Sequence, residues 1–157
     1  MEQRINVFEK GRPAMQALYA LGIYLSKSSV DQHLLNLIYF RVSQINGCAA
    51  CLDMHSKDLR VKGETEQRLY LLDAWREAPF YTERERAALA WAEAITDLKD
   101  GHVKDEVYQE VTQHFSEQEV IDLTFAAITI NSYNRVNVAF RAPAGYYQPT
   151  SNGTHAK

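Results

Sequence analysis

Arg41-Val42-Ser43-Gln44-Ile45-Asn46-Gly47-Cys48-Ala49-Ala50-Cys51-Leu52-Asp53-Met54-His55 holds a helix end, a turn and a helix start in fifteen residues. Upstream, Leu34, Leu35, Leu37, Ile38 and Val42 recur at helical spacing, which predicts a helix from Asp31 to Gln44. Asn46-Gly47 ends it, because both residues tolerate the conformations that close a helix. A new helix then starts close to Cys48, carries Cys51, Met54, His55 and Leu59, and stops at Gly63.

The rest of the chain repeats the pattern. Met15, Leu18, Leu21, Ile23 and Leu25 predict a helix from Arg12 to Lys27, with Pro13 tolerated in its first turn. A shorter helix spans about Glu66 to Trp75, and Pro79 bars its continuation. Thr82 with Glu85 forms a capping-box signature ahead of Ala87, Ala88, Leu89, Trp91, Ala92 and Ile95, in a helix that should stop near Gly101. Another helix begins near Lys104 with Val107, Val111 and Phe115. Ser116 with Glu119 opens the last, through Val138. Ile121 to Ile130 is rich in β-branched residues, which pull toward a strand, but the cap before it and the spacing after it favour helix. The fold class is therefore all-α, a bundle of about seven helices with short loops. Residues 1–150 read as a single helical domain and Ser151 to Lys157 as a flexible polar tail.

Composition narrows the function classes. The 157 residues are 46% apolar, 24% charged and 11% aromatic, as in an ordinary soluble globule. Seventeen Lys and Arg against twenty Asp and Glu give a net charge of -3, and no basic stripe suits a phosphate backbone. The first residues do not read as a signal peptide, and no run approaches the roughly 18 apolar residues of a spanning helix. A cytoplasmic protein without a membrane or nucleic-acid partner is the expectation. Tyr19, Tyr24, Tyr39, Phe40 and Phe140 offer flat surfaces suited to self-association.

Both cysteines of the chain lie in the opening segment, three positions apart. So short a loop gives little structural stapling, so in a reducing compartment the pair reads as catalytic or metal-binding. At a helix start the free N–H groups and the helix dipole favour a thiolate. His55 lies one turn beyond Cys51, where imidazole can take up and return a proton. Zinc usually wants four ligands, but only Cys48, Cys51 and His55 sit together, with His33, His102 and His114 far off in sequence. No metal is expected. Inert small hydrophobes beside a core histidine are the bland alternative. No glycine-rich strand-to-helix turn suggests a nucleotide or flavin, so no cofactor is expected either.

This segment resembles the core signature of the alkylhydroperoxidase D and carboxymuconolactone decarboxylase superfamily. Similar stretches are Phe80 to Leu89, Phe115-Ser116-Glu117, and Asn131 to Arg141 with Asn134-Arg135-Val136-Asn137, so the resemblance spans roughly residues 10 to 142. It implies a helical homo-oligomer, a hexamer rather than a trimer, that reduces hydroperoxides. By the same resemblance Cys51 is the peroxidatic thiol, Cys48 the resolving thiol and His55 part of a proton relay, with an external thiol or redox partner protein supplying electrons. Redox members commonly carry a glutamate twelve residues before the first cysteine, where this chain has Asn36. An amide takes up no proton at neutral pH. Glu64, Glu66 and Asp53 are substitutes by residue type, though each is read first as part of a solvated helix face. The alternatives are thiol–disulfide exchange on another electrophile and a non-redox decarboxylase-like enzyme or binding protein. Ser43 and Gln44 suit either a pocket or a cap, Asn134 and Arg135 a substrate contact or an interface, and Tyr133 and Trp91 the core.

Overall fold

In a computed structural model that describes residues 2–98 and 101–149, the chain winds through a succession of helices. Among the described residues these are α1 (Val7–Lys10), α2 (Arg12–Leu25), α3 (Gln32–Asn46), α4 (Ala49–Val61), α5 (Glu66–Leu71), α6 (Glu83–Thr96), α7 (Asp105–His114) and α8 (Glu117–Phe140). The expected all-α class holds, and seven of the eight helices answer to those read from the sequence. The eighth, α1, has one turn and no buried residue, so it leaves no apolar periodicity to read. The expected helix from Glu66 to Trp75 is split: α5 ends at Leu71 and a 3-10 turn covers Leu72–Ala74. That turn buries Leu72 beside Leu69 and Trp75. The expected polar tail from Ser151 lies outside the described residues.

Helix α3 is the centre of the bundle. Leu34, Leu35, Leu37, Ile38, Phe40 and Val42 are all buried, so apolar side chains leave it in every direction, as befits a helix enclosed by others. It packs against α4, α6 and α8. One apolar cluster joins Leu35, Ile38 and Val42 to Ala88, Ala92, Leu123 and Ala127; a second joins Leu37 and Phe40 to Leu59, Leu72 and Trp75. Helix α8, including the β-branched Ile121 to Ile130 stretch, is continuous. Tertiary packing outweighs the local strand preference there.

Capping follows the sequence signatures. Thr82 accepts from the Glu85 N–H at 3.2 Å while Glu85 accepts from the Thr82 N–H at 2.7 Å, and Ser116 and Glu119 reproduce the arrangement. Enclosing α3 also buries polar groups, which have to be paired. Arg41 donates to Glu93 at 2.7 Å and to Asp73, and Glu93 accepts from Trp75 Nε1 at 2.9 Å, tying α3, the 3-10 turn and α6 together.

On the other flank Asp122 of α8 is buried and accepts from Tyr24 at 2.7 Å, from Ser28, and from Gln118 at 2.9 Å. Burial alone would raise its carboxyl, but these hydrogen bonds hold it below the usual carboxylate range. Asp122→Asn should therefore lower the unfolding free energy by about 1–3 kcal/mol at neutral pH. Because the folded-state value is depressed, the wild-type advantage is complete above the unfolded aspartate value near ~3.9 and fades as pH falls through the folded one. Urea denaturation of both proteins between pH 2 and 7 measures it.

Candidate functional site

The site begins with backbone. Gly47 adopts φ 64 and ψ 33, the left-handed conformation that glycine enters without a Cβ penalty. The Cys48 N–H turns back to the Ser43 carbonyl at 3.1 Å, closing α3, and Cys48 becomes the N-cap of α4. Cys51 follows in the first turn. Both thiols are reduced, both are 1% exposed, and their sulfurs stand 2.6 Å apart. The pair expected at a helix start is thus brought together there and shielded from water.

The hydrogen bond between the two sulfurs draws the Cys48 thiol down to about 6, with burial opposing and the Cys51 backbone N–H, Asn134 and Asn137 assisting. The same hydrogen bond, with burial, pushes the Cys51 thiol up. The pair therefore gives up its first proton readily and holds its second. It is a single titrating unit.

Helix α8 supplies the wall facing the pair. Asn131, Asn134 and Asn137 fall three residues apart, on one side of the helix. Asn134 is fully buried; its Nδ2 donates to Ser43 Oγ at 3.0 Å and its Oδ1 accepts from Asn46 Nδ2 at 2.9 Å. Asn46 also donates to Asn131 Oδ1 at 2.9 Å. Asn137 reaches the chemistry, its Nδ2 donating to Cys51 Sγ at 3.2 Å. The sequence places Asn137 in a familial stretch without giving it a role. Its signal is an amide every third residue along an otherwise apolar helix.

His55 lies on the buried face of α4 with Cys51 and Leu59, its ring 5.3 Å from that of Tyr39 of α3. Asn36 is buried too, and its Nδ2 donates to the Gln32 carbonyl at 2.7 Å, which ties the amide to its own helix. The carboxylates considered as substitutes are engaged elsewhere. Asp53 pairs with Lys57 at 2.8 Å and accepts from the Gly145 N–H at 2.9 Å, and Glu66 pairs with Arg60. Glu64 does not sit on a solvated helix face. It is buried, bound to His33 and to Arg68, each at 2.9 Å, because α4 ends beside the first turns of α3. Ser43 lies in the amide network and Gln44 accepts from Arg41 at 3.2 Å. Arg135 is exposed and bonded to Asn131, while Trp91 and Tyr133 pack in or against the core. Among the described residues no three His, Cys, Asp or Glu side chains converge as metal ligands, and no helix is long and apolar enough to cross a membrane.

A family model described as the carboxymuconolactone decarboxylase family matches residues 13–94. The uncharacterised protein YdfG of Bacillus subtilis (strain 168) is 42% identical over 139 residues, 88% of this chain and 95% of that protein. A crystal structure of a protein of unknown function from Agrobacterium tumefaciens, suggested to be the antioxidant defence protein AhpD, superposes with a TM-score of 0.88 at 38% identity, covering 93% of this chain and all of the other. The debrominase Bmp8, in a variant form bound to 2,3,4-tribromopyrrole, shares the fold alone, with a TM-score of 0.73 at 22% identity over 83% of this chain and 70% of its own. The chain belongs to the carboxymuconolactone decarboxylase family, and its bundle is the alkylhydroperoxidase D fold. Its adjacent Cys-x-x-Cys thiols are consistent with a thiol-based redox site.

The shared proton gives a direct expectation. Alkylation of Cys48 should rise with a midpoint near pH 6 in the wild type. In Cys51→Ala, which removes the largest cause of the lowering, the midpoint should move up toward ~8.5. Iodoacetamide labelling followed by peptide mass against pH checks both.

Proposed function

We propose that this member of the carboxymuconolactone decarboxylase family is a thiol peroxidase that reduces hydroperoxides through Cys51, Cys48 and His55. The observation that carries the reading is the buried thiol pair at the start of α4, its sulfurs 2.6 Å apart. One sulfur can attack and the other is already in place to resolve the product. The fold is shared with a debrominase, so the substrate class rests on the thiol chemistry and not on the fold.

In the first step the shared proton passes to Cys48, and the Cys51 thiolate attacks the distal oxygen of R–O–OH. An S–O bond forms, the O–O bond breaks, and the sulfur loses two electrons to the peroxide. The alkoxide leaves as an alcohol, taking a proton that His55 received when the pair first ionised. Cys48 attacks the Cys51 sulfenic acid, its proton departs with the hydroxyl as water, and a Cys48–Cys51 disulfide forms. Two thiols and one hydroperoxide thereby give one disulfide, one alcohol and one water. An external dithiol returns the pair to its reduced form by exchange. The same reading places the protein in a reducing cytoplasm as a homo-oligomer, hexameric before trimeric. The exposed Tyr19, Ile23, Phe125 and Ile128 on α2 and α8 are apolar surface suited to that assembly.

A second reading rests on Asn36. With an amide where the relay glutamate is expected, and that amide bonded to Gln32, proton delivery to an alkoxide is weaker than delivery to a better leaving group such as a thiolate. Thiol–disulfide exchange on another electrophile follows if peroxide turnover is slow.

Stopped-flow mixing of reduced protein with tert-butyl hydroperoxide should consume two thiols per chain. Cys51→Ala should abolish the reaction, and His55→Gln should slow it about 100-fold or more. Cys48→Ala should accumulate a sulfenic acid on Cys51 that dimedone traps. No thiol loss in the wild type would sink the peroxidase reading, and rapid exchange with a small disulfide in its place would establish the second.

A further inference from the structure

The three asparagines of α8 differ in one respect. The carbonyl of Asn131 accepts from Asn46 and Arg135, and that of Asn134 accepts from Asn46. The carbonyl of Asn137, nearest the thiols, is buried with no hydrogen-bond partner. A buried acceptor left unfilled is costly, and native folds rarely leave one without a use. Reversing the amide brings no remedy. It would strip the Cys51 sulfur of its Nδ2 donor and offer the carbonyl to a thiol proton already engaged with Cys48.

The unfilled acceptor belongs to the amide whose other end touches the sulfur assigned to attack. A substrate atom that meets that sulfur lies beside the same amide, so the acceptor suits a substrate carrying a hydrogen-bond donor on its reacting atom. A hydroperoxide fits, because the distal oxygen that sulfur attacks bears the O–H. We infer that Asn137 orients the substrate, its Nδ2 holding Cys51 Sγ while its Oδ1 accepts the O–H of the incoming hydroperoxide. This rests on the peroxidase reading above and adds to it a residue that selects for hydroperoxides.

The inference is consistent with the atom balance of the step. The hydrogen held by Oδ1 is the one that stays on the distal oxygen and ends on the Cys51 sulfenic acid. The amide neither gives nor takes a proton, as its chemistry requires. Its neighbours on α8 keep it in place: Asn134 is locked to Ser43 and Asn46, and the backbone carbonyl of Asn137 accepts from the Ala142 N–H at 2.9 Å.

The test compares two electrophiles at a pH where the thiolate is fully formed in every variant. One is tert-butyl hydroperoxide, with a donor on the reacting oxygen; the other is methyl methanethiosulfonate, which has no O–H or N–H. Asn137→Ala should slow the hydroperoxide reaction at least about 10-fold, the order of one lost hydrogen bond in the transition state. The methanethiosulfonate rate, which loses only the Nδ2 contact to the sulfur, should fall by a smaller factor, so that the ratio of the hydroperoxide rate to it drops about 10-fold. Asn137→Leu, which keeps the volume and removes both polar ends, should behave alike and guards against a packing defect in the smaller variant. An equal fall with both reagents, or no fall with either, overturns the inference and leaves the peroxidase reading intact. A wild type that reacts with methanethiosulfonate and not with hydroperoxide overturns both.

Discussion

The chain reverses from α3 into α4 through one left-handed residue, and the site's geometry depends on that reversal. Gly47 holds φ 64 with open space where a Cβ would stand, so what excludes other residues is backbone conformation and not crowding. A side chain there costs roughly 1–2 kcal/mol. The turn places two neighbours with opposite duties. Asn46, the last residue of α3, points its amide at α8, and Cys48, the first beyond the turn, is the N-cap residue of α4 and sets a sulfur at its start. Longer loops would separate these two, and the thiol pair would no longer face the asparagines.

The same enclosure that gives α3 its apolar surroundings forces its polar residues into networks. Arg41 is neutralised by Asp73 and Glu93, Ser43 donates to the Tyr39 carbonyl at 2.7 Å while accepting from Asn134, and Asn36 binds its own helix. A fully satisfied buried network fixes one arrangement of helices, because any shift leaves a desolvated group unpaired. Thiol position and bundle stability are thus coupled. Asn134, which holds α8 against the turn, is also one of the groups that draw the Cys48 thiol down.

Much of this was legible in the sequence, for physical reasons that also mark where reading stopped. A helix with a regular apolar face and a capping box, α6 above all, declared itself because period and cap agree, whereas in α8 the cap had to outweigh a β-branched stretch. The one-turn α1 and the break after Leu71 did not, since neither changes the local apolar spacing. The thiols and His55 stood out by type and interval. Glu64 could not be placed, because its burial depends on α4 ending beside His33, a contact between residues far apart in sequence. Asn137 escaped for the same reason. An amide on a helix reads as solvated until the helix opposite is known to present a sulfur.

Asn36 takes on a different sense once the charges at the site are counted. A carboxylate near a thiolate raises the thiol's pKa, since two like charges in a buried setting repel. Where a relay uses a glutamate, it gains a proton acceptor and works against the nucleophile it serves. This chain has a neutral amide at position 36, and neutral amides of Asn134 and Asn137 bear on the sulfurs. The Cys48 thiolate is then favoured by the hydrogen bonds from Cys51 and by the amide dipoles of Asn134 and Asn137. In the proposed cycle such a site loses a second stop for the proton, and delivery to the leaving group falls to His55. A pair arranged this way is strong in forming its nucleophile and selective in what it can expel. The substrate's own leaving group and its hydrogen-bonding atoms therefore decide the rate more than they would beside a carboxylate.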